Sequence, residues 1–310
     1  MLKASQAQSL DELPPGSLVA VVTIRGSCCP VTLGHVQGFL EARRIILGEG
    51  VPRPAELEPF AAVIGLITMN GDHHVGAKLA EKGLPCIRLR DREMLAELSS
   101  ADYGWLSCYP TDRSKTYMQD IPKRWPGLTF IRFEMNGADD VVKYEKWTKA
   151  SLDRRLITMG RKGFTEQVIA GMQDVRIDPD NGFFILGPEL PDISSTAVRE
   201  ALRTLSMAAL ARLLHPHVAN WCLIHGPYRP VLTVANDQGY PRMLRRTATE
   251  SRDSSVWVDS RKAVRNGEQV EHLFTDRQFV CVRAADGTQG YLNVKYIDWP
   301  EGTPSSVRGS

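Results

Sequence analysis

The chain has no large surplus of either charge: 38 Lys and Arg against 36 Asp and Glu leave a formal net charge of +2 over 310 residues. A protein that binds nucleic acid by charge usually carries a larger basic excess, so no nucleic-acid partner is expected. No C-x-x-C pair occurs among its six cysteines, Cys28, Cys29, Cys86, Cys108, Cys222 and Cys281. That removes the spacing of a zinc ribbon or a thioredoxin-type site. Six cysteines are also too few for a disulfide scaffold at this length. Free thiols in a reducing compartment are expected, and with them an intracellular, cytoplasmic location. No apolar run reaches the roughly 18 residues of a membrane-spanning helix, so no membrane partner is expected. Residues 1–16 are polar and lack the apolar core of a secretory signal. They are expected to be flexible.

Apolar residues make up 43% and charged residues 24%, an ordinary soluble composition. The length suggests about two domains. Leu18 to Ile24 is a continuous, mostly β-branched run, the pattern of a strand buried on both faces. Further strands read at Ala61 to Thr68, Trp105 to Tyr109, Leu128 to Phe133, Leu156 to Arg161 and Gly182 to Leu186. Helical spacing fills the gaps, most clearly over Gly34 to Leu47, Arg92 to Leu98, Thr165 to Met172 and Thr196 to Leu205. Such alternation predicts an α/β fold, a doubly wound, Rossmann-like parallel sheet. Right-handed crossovers put all strand C-termini on one edge, where ligands bind. After Tyr228-Arg229-Pro230 the pattern changes to short alternating strands with turn pairs at Asn266-Gly267 and Asp286-Gly287. This predicts a small all-β barrel. The expected domains are 17–228 and 229–300, with a frayed tail over 301–310.

Two strand-to-helix junctions carry the chemistry. The first is Gly26-Ser27-Cys28-Cys29-Pro30-Val31-Thr32-Leu33-Gly34-His35. Backbone N–H groups at a helix start bind anions. Gly26 lets the chain approach a phosphate, and His35 can donate to its oxygens. A tight turn with a buried histidine is the simpler account of that segment alone. The second is Asp192-Ile193-Ser194-Ser195-Thr196-Ala197-Val198-Arg199. Ser194, Ser195 and Thr196 are good helix caps. The same hydroxyls, with the Arg199 guanidinium, also suit phosphates.

Together, Thr32-Leu33-Gly34-His35 and Ile193 to Arg199 resemble the (H/T)-x-G-H and Ile-Ser-Ser-Thr-x-x-Arg motifs of the nucleotidyltransferase superfamily. Within it the chain looks most like the nicotinamide/nicotinate mononucleotide adenylyltransferases. Gly137-Ala138-Asp139, Trp147, the Arg92 to Leu98 helix and His215-Pro216 through Tyr228 agree with that family's pattern. The resemblance covers residues 17–228. It implies direct transfer of AMP from ATP to a pyridine mononucleotide, with Mg²⁺ accompanying ATP. It implies that His35, Thr32 and Arg199 serve catalysis. Gly26, Ser27, Gly34, His35, Ser194, Ser195, Thr196 and Arg199 would hold ATP. Gly137, Asp139 and Trp147 would meet the mononucleotide, with Lys78 or Lys82 nearest to the family's lysine and Tyr109 nearest to its second Trp. The departures are Cys28-Cys29, where the family has Phe-Asn or Phe-Asp, and the altered loop from His73 to Leu79. A helix start beside Cys28-Cys29 could lower a thiol pKa and make the loop redox-sensitive.

No metal site is expected in the protein itself: His73-His74 and His215-Pro216-His217 lack a completing carboxylate or cysteine set. In an extended segment, adjacent histidines would face opposite ways. The basic run from Arg242 to Arg246 reads as a solvated face. Residues 264–296 resemble bacterial-type SH3-like barrels, with Phe279 in place of a usual Trp. A peptide, or a neighbouring part of the same chain, is that barrel's expected partner. Trp257, Tyr291, Tyr296 and Trp299 are candidates to line its groove. A homo-oligomer stays open. Two alternatives stand beside the adenylyltransferase: a nucleotide-binding scaffold with a degenerate site, or an adenylyl or cytidylyl transferase for another phosphorylated acceptor.

Overall fold

The computed structural model describes residues 2–113, 116–178, 180–235, 242–245, 259–276 and 278–308. Trp257 and Arg246 lie outside the described residues. The chain divides into two compact units, residues 1–195 with 213–215, and residues 196–212 with 216–310.

The first unit runs α1 (Ala4–Asp11), β1 (Leu18–Gly26), α2 (Leu33–Leu47), β2 (Ala62–Met69), α3 (Asp72–Ala80), α4 (Leu89–Ser99), β3 (Leu106–Cys108), α5 (Tyr117–Arg124), β4 (Thr129–Gly137), α6 (Ala138–Lys143), β5 (Arg155–Gly160), α7 (Thr165–Asp174) and β6 (Phe184–Glu189). Its six strands are parallel, in the order β3-β2-β1-β4-β5-β6. This is the Rossmann-like α/β sheet expected from the alternation. The strand order reverses between β1 and β4, which opens a crevice at their C-terminal ends. Val19, Val21 and Val22 on β1 and Leu66 and Ile67 on β2 are fully buried. Each such side chain contributes about 1.5–3 kcal/mol of burial, which is why the continuous apolar runs become the central strands.

Two helices depart from the expectations. Residues 1–16, expected to be flexible, contain α1, whose Gln6 and Leu10 are buried. Leu10 joins Val19, Val21, Ile64 and Trp125 in one apolar cluster. The indole Nε1–H of Trp125 donates to Asp11 Oδ1 at 2.7 Å, and the Gln6 amide donates to the Trp105 carbonyl at 2.8 Å. Only Ala7 and Leu10 mark the buried face, too few to stand out in a polar stretch. Helix α5 places Tyr117 and Ile121 in the same cluster, and Pro122 inside it masks the helical pattern. His73 and His74 sit on α3, so their assumed extended backbone is corrected to a helix.

The second unit contains α8 (Ser195–Arg203, after its first residue), α9 (Met207–Leu213, to Arg212), α10 (Pro216–His225), β7 (Val231–Val234), β8 (Arg242–Arg245), β9 (Asp259–Val264), β10 (Gln269–Asp276), β11 (Phe279–Arg283), β12 (Gln289–Asn293), β13 (Ile297–Asp298) and α11 (Ser305–Arg308). Its strands form an antiparallel sheet in the order β13-β7-β10-β11-β12-β8-β9, consistent with an SH3-like barrel. Val270 and Leu292 are buried, and β11 buries Phe279, Val280, Cys281 and Val282 in succession. The tail expected to fray instead docks: Val307 of α11 is buried, and its carbonyl accepts from Thr275 Oγ1 at 2.5 Å. Among the described residues no helix is long and apolar enough to cross a membrane.

Candidate functional site

A cavity of about 190 Å³ lies at the C-terminal ends of β1, β4, β5 and β6. Thr32, Gly34 and His35 reach it from the start of α2, and Asn136, Gly137 and Asp139 from the β4–α6 junction. Gly160 and Arg161 follow β5, and Asp192 and Ile193 follow β6. The volume equals roughly six waters at ~30 Å³ each. A larger cavity of about 700 Å³ lies between α2, α7 and β6. It is walled by residues such as Ile45, Ile169, Ile177 and Ile185, and its Glu41 and Arg44 pair with each other at 2.9 Å. The smaller cavity is the candidate site, because Thr32, Gly34, His35, Gly137 and Asp139 of the expected set line it.

Local sequence fixes the histidine. Thr32 precedes α2 and His35 stands three residues on, the spacing of a capping box with imidazole in the usual Glu or Gln place. The Thr32 backbone N–H donates to His35 Nδ1 at 3.1 Å, and Thr32 Oγ1 lies 2.7 Å from the same nitrogen. A backbone N–H can only donate, so Nδ1 is unprotonated and the neutral ring carries its proton on Nε2. Burial pushes the pKa down to about 4. The ring nevertheless keeps part of its surface open to the cavity. At neutral pH His35 is thus an uncharged, oriented donor.

The two junctions meet within the first unit. A Cβ on Gly34 would stand 3.1 Å from Ile193 Cβ and 3.3 Å from its carbonyl oxygen, a tight approach that glycine eases. Ser195 Oγ donates to the Pro30 carbonyl at 2.8 Å. Behind the cavity, Arg92 is completely buried. Its guanidinium donates to the carbonyls of Ile87, Ser27 and Asn70 and to Asp72 Oδ1, each at 2.9 Å. Arg92 therefore ties the loops after β1 and β2 together. Ser27 belongs to that clamp, the Gly26 carbonyl accepts from the Asn70 backbone N–H at 2.9 Å, and neither residue lines the cavity. The expected lowering of a thiol pKa is reversed. Burial pushes Cys28 up to about 12 and Cys86 up to about 11, and it raises Cys108 as well.

A charged arch spans the cavity mouth. Arg161 Nη1 donates to Asp139 Oδ2 at 3.0 Å, and Nη2 donates to Asp192 Oδ1 at 3.2 Å. Next to it the buried Asn136 amide oxygen accepts from Lys146 Nζ, which also pairs with Asp140 at 2.7 Å and Glu134 at 3.5 Å. Sequence reasoning missed Arg161, Asn136, Lys146 and the clamp role of Arg92. Ending the fifth strand at Arg161 concealed a cation at the strand's ligand-binding edge. The strand stops at Gly160, and that one-residue shift was the available signal.

Three expected site residues of the first unit, Tyr109, Trp147 and Lys78, lie elsewhere in it. Tyr109 is buried edge-on to Tyr117, with ring centroids 5.9 Å apart. Trp147 packs against Gly171 of α7, in the cluster with Val168 and Met172. Lys78 stands in the last turn of α3. None of the three lines the cavity. Ser194 adjoins Ile193 at its edge. Thr196 and Arg199 belong to the second unit, where Arg199 Nη2 donates to Thr196 Oγ1 at 2.8 Å and the guanidinium lies 5.8 Å from the Tyr228 ring centroid. Among the described residues no group of three or more His, Cys, Asp or Glu could hold a metal ion. No family model matches the sequence, and no curated protein matches it.

Proposed function

We propose that the chain is an adenylyltransferase that joins AMP from ATP to a pyridine mononucleotide, giving NAD or its deamido form and pyrophosphate. The observation that carries this reading is the neutral imidazole of His35, held by Thr32 at the reversal point of a Rossmann-like sheet, with the segment at Ile193 packed against Gly34 beside it. In such sheets this crevice takes nucleotides.

The mononucleotide phosphate attacks the α-phosphorus of ATP in line, and pyrophosphate leaves. No covalent bond to the protein is needed, so catalysis is positioning and charge stabilisation. His35 donates its Nε2–H to an α-phosphoryl oxygen and keeps its proton throughout, since its low pKa opposes a second one. Thr32 holds the tautomer. Asp139 keeps its expected place at the acceptor's sugar and ring, joined there by Asn136 and Arg161 in place of Trp147, Lys78 and Tyr109. Mg²⁺ enters as the ATP complex, carried by phosphate oxygens and water. In the barrel, exposed Phe274 stacks edge-on with Tyr291 at 5.9 Å between centroids, which supports a peptide as its partner.

The test is pyrophosphate release from Mg²⁺–ATP with a panel of phosphorylated acceptors. Release with a pyridine mononucleotide is expected. Release only with another acceptor would reassign the substrate, and ATP binding without turnover of any acceptor would leave a nucleotide-binding scaffold.

A further inference from the structure

We infer that the acceptor end of this cavity selects a pyridine ring bearing a carboxamide over one bearing a carboxylate, and that Asp192 enforces the choice. The inference rests on the proposed adenylyl transfer. It starts from the charges that face the cavity mouth. Arg161 is the one cation among the described lining residues, and it stands between two carboxylates, Asp139 at 3.0 Å and Asp192 at 3.2 Å. Each terminal nitrogen of the guanidinium is already engaged by a different aspartate. His35 adds no positive charge, because its Nδ1 accepts a backbone N–H and the ring is neutral. The next cation back, Lys146, is likewise outnumbered, lying 2.7 Å from Asp140 and 3.5 Å from Glu134. It is further occupied by the Asn136 amide oxygen.

An incoming ring carboxylate could reach the remaining N–H groups of Arg161 only by sitting beside the carboxylates of Asp139 and Asp192. Like charges so placed oppose binding. A carboxamide brings no such charge. Its NH₂ group donates to a carboxylate oxygen of the arch, since each carboxylate offers about four lone-pair directions and Arg161 uses only part of them. Its carbonyl accepts from a remaining guanidinium N–H. The pyridinium ring itself is cationic in both acceptors, so the arch attracts both rings, and discrimination falls on the ring substituent alone. Asp192 is the adjustable member of the arch. Its side chain is 82% exposed against 41% for Asp139, so replacing it leaves the fold alone.

The experiment compares kcat/KM for nicotinamide mononucleotide and nicotinate mononucleotide, with Mg²⁺–ATP saturating, in the full chain and in Asp192→Asn. The unchanged protein should favour the amide by about tenfold. Asp192→Asn, which frees one guanidinium nitrogen for the acid, should cut that ratio several-fold, chiefly by raising kcat/KM for nicotinate mononucleotide. Equal rates, or a preference for the acid, in the unchanged protein would overturn the inference and leave adenylyl transfer standing. A ratio unmoved by Asp192→Asn would overturn the role of Asp192. Turnover of neither mononucleotide would overturn the inference together with the reading beneath it.

Discussion

Replacing Arg92 with methionine tests whether one buried guanidinium holds the site loops together. Methionine keeps an unbranched side chain of similar length and fills the space without a charge. Four acceptors lose their donor: the carbonyls of Ile87, Ser27 and Asn70, and Asp72. The Asp72 side chain is 55% exposed and returns to water. The Ile87 carbonyl keeps the Cys86 thiol as a weak donor. The carbonyls of Ser27 and Asn70 are then left without that donor, at about 1–3 kcal/mol each. Relief from burying a guanidinium offsets part of the sum of about 2–6 kcal/mol, so a net loss of about 3 kcal/mol is expected. Equilibrium urea unfolding followed by far-UV circular dichroism measures it. Asp72→Asn is the control and should cost under about 1 kcal/mol, because its partner stays bound to three carbonyls. A loss below about 1 kcal/mol for Arg92→Met, or equal losses for both variants, would refute the clamp.

Gly34→Ala should cost about 1–3 kcal/mol through its contact with Ile193 and should lower pyrophosphate release with it; a thermal melt and an activity both unchanged would contradict the close approach. His35 should keep the Nε2–H tautomer from pH 8 to pH 5, read from its ¹⁵N shifts. Its folded pKa of about 4 lies below the value near 6.5 expected of an unfolded chain, so the unfolded chain binds more protons between those values. Stability contributed by the neutral ring is complete above that window and is lost as pH falls through it. His272 in the barrel, also pushed down to about 4 by burial, loses stability in the same window, and His272→Gln separates the two. Cys28 and Cys86, with thiols pushed up to about 12 and 11, should resist a thiol reagent at pH 7 until the protein is unfolded. Fast stoichiometric labelling of Cys28 by mass spectrometry would show that burial does not protect the loop.

The central sheet was legible because strands buried on both faces leave unbroken apolar runs, and β1 and β2 are such strands. The site histidine was legible because Thr32 and His35 keep a local three-residue spacing that one helix start must satisfy. Arg161, Asn136 and Lys146 were not, since their partners lie on different loops and only the folded sheet brings those loops to one edge. Tyr109 and Trp147 failed as ring partners for a tertiary reason. Helices α5 and α7 pack Tyr117 and Gly171 against them, and no local signal announced those neighbours. Helix α1 escaped notice because only two of its eight residues, Ala7 and Leu10, are both apolar and buried, which leaves little periodicity.

The most direct measurement is the turnover rate of His35→Ala against the unchanged protein, with Mg²⁺–ATP and the preferred mononucleotide both saturating and ATP affinity taken separately by calorimetry. Loss of one oriented donor to the transition state should lower kcat about 10²–10³-fold while ATP affinity changes only a few-fold. An unchanged kcat would contradict the account.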